Sequence, residues 1–117
     1  MSDFGENHSM QDGEGLATLL DEIRAGSDAA FARLLGCYNG LLRHRVSAFH
    51  YHSQDASDDA YQEACLALHR AALRYRAQAH VTFGLYAKIC IDNALKTKYK
   101  RDVHAASREA DAAALFV

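Results

Sequence analysis

Not one of the 117 residues is a proline, and this absence constrains the fold more than any single motif does. Two dipeptides could make a tight hairpin, Asp12-Gly13 and Asn39-Gly40. Neither separates runs of alternating apolar and polar residues; both lie beside segments of helical period. With alanine abundant as well, the pattern argues against a β architecture and for an all-α fold.

Apolar residues recur at spacings of three and four. A first helix is predicted over residues 14–25, with Leu16, Leu19, Leu20 and Ile23 on one face. Gly26 ends it, and Ser27 or Asp28 caps a second helix over 28–47. Phe31, Leu34, Leu35, Tyr38, Leu41, Leu42 and Val46 supply the second stripe. Gly36 and Gly40 weaken that helix, and their small size is expected to admit a neighbouring helix closely. Residues 50–56 read as a connector. Ser57, followed by Asp58 and Asp59, is the expected N-cap of a third helix reaching Tyr75. Its inward face carries Tyr61, Ala64, Cys65, Leu68, Ala71, Ala72 and Tyr75. Thr82 caps a fourth helix running at least to Lys100, with Phe83, Tyr86, Ala87, Ile89, Cys90, Ala94 and Leu95 as apolar contacts. The expectation is a compact bundle of four to five helices over 14–101. Residues 1–13 read as disordered, and the alanine-rich tail 102–117 as a further helix or a frayed end.

Charge is distributed unevenly. Residues 1–63 carry a net −7, residues 64–101 a net +7 and residues 102–117 a net −2. Such asymmetry fits an acidic, protein-facing part and a basic, nucleic-acid-facing part, and fits equally well long helices that carry solvated charges. No apolar run is long enough to span a membrane, and the polar, acidic N-terminus has no apolar core of a secretion signal. Cys37, Cys65 and Cys90 are odd in number and widely spaced. They read as reduced, buried, inert thiols in a cytoplasmic protein. His50-Tyr51-His52 lacks the neighbouring ligands of a familiar zinc spacing, so no metal is expected. No nucleophile elbow, phosphate-binding glycine loop or His-Glu-x-x-His motif occurs, so neither a catalytic residue nor a cofactor is expected.

The most informative stretch is residues 58–101. It reads Asp-Asp-Ala-Tyr-Gln-Glu-Ala-Cys-Leu-Ala-Leu-His-Arg-Ala-Ala-Leu-Arg-Tyr, then seven loop residues, then Phe-Gly-Leu-Tyr-Ala-Lys-Ile-Cys-Ile-Asp-Asn-Ala-Leu-Lys. An acidic pair, Gln-Glu, a leucine-rich helix ending in an aromatic, and Phe-x-x-Tyr-Ala opening a basic helix resemble region 2 of bacterial sigma factors of the sigma-70 class. Asp28-Ala29-Ala30-Phe31 and Tyr38 are similar to the preceding helix of that region, so the resemblance spans residues 28–101.

The resemblance implies a transcription initiation factor domain, not an enzyme. Its third helix would bind the coiled coil of the largest subunit of core RNA polymerase through Asp58, Asp59, Gln62, Glu63, Leu66, His69 and Arg70. Its fourth helix would hold and help open the −10 element of promoter DNA through Phe83, Tyr86, Lys88, Asn93, Lys96, Lys98, Lys100 and Arg101. Tyr86 falls where the family has an aromatic that stacks on a flipped-out base.

Two departures bear on this. Ile89 and Cys90 stand where the family often has tryptophans that prop open the strand, and Asp92 places an acid on the presumed DNA side. No second helix-turn-helix, region 4 in the family, follows in the sequence. The chain then reads as a cut piece of a longer protein, a natural single-domain factor or half of a split sigma, with an anti-sigma protein or a separate region 4 chain as a further candidate partner. The alternative is a sigma-like interaction module, a decoy or anti-sigma target, without productive promoter opening.

Overall fold

The computed structural model describes residues 14–77 and 80–115. The disorder expected over 1–13 lies outside them. The described residues form α1 (Glu14–Arg24), α2 (Asp28–Ser47), α3 (Gln54–Arg74) and α4 (Phe83–Ala114), the all-α fold read from the sequence.

Helix ends follow their caps. Gly26 takes φ +97°, a left-handed conformation that glycine adopts without steric cost, and so stops α1. The hydroxyl of Ser27 accepts from the Ala30 amide at 3.1 Å to start α2. Thr82 does the same for α4, accepting from the Leu85 amide at 3.1 Å. The expected start of α3 needs correction. Its N-cap is Ser53, accepting from the Ala56 amide at 3.1 Å, and Ser57 lies inside the helix. Starting at Ser53 adds a turn to the helix, in which the Gln54 amide donates to the Asp58 carboxylate at 2.8 Å.

The tail is neither a separate helix nor frayed through residue 114. It continues α4 without a break. Nothing between Arg101 and Ala114 ends a helix: no glycine or proline occurs, alanine has the highest helical propensity, and Lys98 pairs with Asp102 one turn on at 3.0 Å. The molecule measures 62 × 33 × 28 Å, a bundle from which the end of α4 extends.

The third helix lies at the centre. Ala60, Ala64, Ala67, Ala71 and Ala72 are buried along it, and such small residues let α2 and α4 approach its backbone. Leu16, Leu19, Leu20 and Ile23 of α1, Leu34, Leu42 and Val46 of α2, and Phe83, Ala87, Ile91 and Leu95 of α4 complete the core. Each large apolar side chain buried here contributes roughly 1.5–3 kcal/mol. Tyr38 and Tyr75 meet the Phe83 ring edge-on, with centroids at 5.7 and 5.4 Å. The Tyr75 hydroxyl donates to the Val81 carbonyl at 2.6 Å, and the Arg24 guanidinium donates to the Tyr75 carbonyl. Together they fix the turn that aims α4.

Two sequence expectations fail in the packing. Gly36 and Gly40 are exposed, with nothing within 4 Å of a Cβ placed on either, so no helix among the described residues packs against them. The three cysteines are free but half-buried rather than buried, because each sits at the border of its helix's apolar stripe.

Candidate nucleic-acid interface

Every fourth residue of the first half of α4 points inward: Phe83, Ala87, Ile91, Leu95. That register fixes what the opposite side presents. Leu85, Ile89, Lys96 and Lys100 are exposed there, with Asn93 at its edge. Lys96, Lys100 and Arg101 make no ion pair among the described residues. Lys88 and Lys98 do: Lys88 lies 3.3 Å from Asp92, and Lys98, only 13% exposed, lies 3.0 Å from Asp102. Their charges are partly spent within the helix.

Asp92 is not on the outward side, as the sequence suggested. It accepts from Arg45 Nε at 2.7 Å, with side-chain exposure of 15% for Asp92 and 24% for Arg45. The acid is turned toward α2 and neutralised there. The only carboxylate among residues 64–101 thus leaves the outward side of α4 cationic.

Phe83 is fully buried and offers no surface to a nucleic acid. Phe83 anchors the helix instead. Tyr86, one turn on, is half-buried, its ring tilted against Tyr75 at a centroid distance of 5.6 Å. Burial pushes its hydroxyl pKa up, Cys90 pushes it further in the same direction, and Arg74 opposes them. Tyr99 is 42% exposed and rests on Phe49 and Tyr51 of the α2–α3 connector, with centroids at 5.7 and 6.2 Å.

The second set of residues lies on α3. Asp58, Asp59, Gln62, Leu66 and Arg70 are exposed along one face. Glu63 and His69 flank it and are half-buried. Glu63 approaches Arg70 at 3.8 Å, and the His69 ring meets Phe31 of α2 edge-on at 4.8 Å. Leu73 belongs to the same face: it lies two turns beyond Leu66 and is 44% exposed. Its i, i+7 spacing from Leu66, already read as outward, was the available signal. The α3 face and the outward side of α4 are adjacent around the helix pair, so two partners could be engaged at once.

A sequence model described as sigma-70 region 2 matches residues 34–104, more than half of the chain. The chain belongs to the sigma-70 region 2 family. Region 2 domains bind core RNA polymerase and take part in promoter melting, and they are not catalytic. In this region 2 domain the match runs from the middle of α2 through α3 and into the part of α4 beyond Arg101. No curated protein and no solved structure matches the chain. Among the described residues, no helix is long and apolar enough to cross a membrane.

Proposed function

We propose that this region 2 domain attaches to core polymerase through α3 and holds the −10 promoter element through α4, acting in the cytoplasm where that polymerase works. On α3, Asp58, Asp59, Gln62, Glu63, Leu66, His69 and Arg70 form the surface for the coiled coil of the largest polymerase subunit, with Leu73 extending it. On α4, Tyr86, Lys88, Asn93, Lys96, Lys98, Lys100 and Arg101 form the DNA surface, and Lys96, Lys100 and Arg101 carry most of its charge. The observation that supports this best is the ion pair between Arg45 and Asp92. It removes the one acid that would repel phosphates and leaves a cationic side beside a half-exposed tyrosine, the combination that binds unpaired strands.

The test is retention of the full chain by immobilised core polymerase. Asp59→Arg with Glu63→Arg reverses charge at surface positions and should abolish retention while far-UV circular dichroism stays unchanged. Undiminished retention would refute the assignment of α3.

A second reading, a decoy that occupies polymerase without opening promoters, is favoured by one observation. Ile89 is 48% exposed at a position where the family often carries an aromatic. A base–aromatic stack is worth about 1–3 kcal/mol, which aliphatic Ile89 does not supply. Permanganate footprinting of a promoter library with polymerase and this chain separates the two: reactive thymines support the initiation factor, and polymerase binding without them supports the decoy.

A further inference from the structure

An open groove of about 350 Å³ runs between α3 and α4, where Glu63 and Arg70 of the one face meet Tyr86, Asn93 and Arg101 of the other. Three guanidinium groups line it: Arg70 and Arg74 from α3, and Arg101 from α4. The single carboxylate among them is Glu63, 3.8 Å from Arg70. Arg74 and Arg101 are exposed and form no ion pair among the described residues. The groove is therefore net cationic.

The cations are spread along the groove rather than gathered at a point. Arg74 lies at the Tyr86 end, close enough to act on its hydroxyl. Arg101 follows Tyr86 by fifteen residues, about 22 Å of helix rise. A compact anion would need convergent donors, whereas separated donors suit a chain of phosphates. Asn93 and Thr97 sit between the two ends and add neutral hydrogen-bonding groups.

We propose that the α3–α4 groove binds the phosphate backbone of a nucleic-acid strand, with Arg74 and Arg101 donating to phosphate oxygens near its two ends. Guanidinium forks match phosphate oxygens in charge and geometry, and such charge-assisted bonds are the strong ones. The inference rests on the reading of α4 as the nucleic-acid face and deepens it. It adds Arg74, a residue of α3, to the nucleic-acid surface and gives the strand a path across the helix pair.

The experiment is fluorescence anisotropy of the full chain with an end-labelled fifteen-nucleotide single strand across a salt series. Arg74→Ala removes the one groove arginine that belongs to neither earlier face, and should lower the log–log salt slope by about 0.7, one phosphate on a single strand. Arg76→Ala, an exposed arginine outside the groove, should leave the slope unchanged. Lys96→Ala with Lys100→Ala reports on the outward side independently. If the lysine pair lowers the slope and Arg74→Ala does not, the α4 reading stands and the groove assignment falls. If neither variant matters, or the wild-type chain binds no strand at low salt, both fall. Inorganic tripolyphosphate at constant ionic strength distinguishes the phosphate sources. Displacement of the strand no better than by chloride supports a polynucleotide backbone. Saturable tripolyphosphate binding that disappears in Arg74→Ala overturns it in favour of a compact anion. Unchanged circular dichroism of each variant secures the comparison.

Discussion

Asp92 and Arg45 are 47 residues apart in sequence and 2.7 Å apart in space, each mostly buried. Asp92→Ala would leave the guanidinium between α2 and α4 without its anion. The expected cost is about 1–3 kcal/mol, read as a lowered urea midpoint, because an unpartnered buried charge keeps its desolvation penalty. No local pattern in the sequence could reveal this pair. Helical period places Asp92 near the edge of the α4 stripe but does not say which neighbour it meets. Titration also belongs to single residues. Burial pushes up the Cys65 thiol and the Tyr51, Tyr61 and Tyr86 hydroxyls. Each keeps its proton more tightly in the folded chain than in the unfolded one. As pH rises past the ordinary thiol and phenol values, about 8.5 and 10, the unfolded chain releases its protons first. The stabilisation these four groups bring is fully present below that range and is lost through it. Urea midpoints should accordingly decline with rising alkalinity, and Tyr51→Phe should flatten the decline.

At the scale of elements, the four helices were legible because their apolar stripes are regular, and Gly26, Ser27 and Thr82 mark three boundaries plainly. The start of α3 was not. Ser53 and Ser57 each place a carboxylate in the first turn of the helix they would cap, so local sequence does not choose between them. On α3 and α4, most of the residues read as outward are exposed. Phe83 was misread because an aromatic opening a basic helix suits a core anchor and a stacking residue equally. Gly36 and Gly40 illustrate a different limit: small size permits close packing but does not require it. Since both are exposed and helical with open space around them, alanine should fit without strain. Gly36→Ala and Gly40→Ala are each expected to stabilise the chain by roughly 0.5–1 kcal/mol, seen as a higher Tm with no change in polymerase retention.

Across the whole molecule, the working domain is proposed to end near Arg101, although the helix does not. No described residue after Leu95 is buried. A chain lacking residues 102–117 should therefore unfold within about 0.5 kcal/mol of the full one, checked by urea denaturation, since surface changes seldom cost more. A cost of several kcal/mol would place the end of the α4 helix inside the cooperative unit. The sequence could not settle how long this helix is, because an alanine-rich stretch is compatible with a continuation, a separate helix or a frayed end. Its continuation to Ala114 has a mechanical consequence. An uninterrupted helix reaching roughly 20 Å past Arg101 is a lever arm fixed to the bundle. A tilt of the bundle by about 10° would sweep the tip sideways by roughly 3–4 Å over that length. A fluorophore near Ala114 would thus register, magnified, how the domain reorients when polymerase and a strand are engaged together.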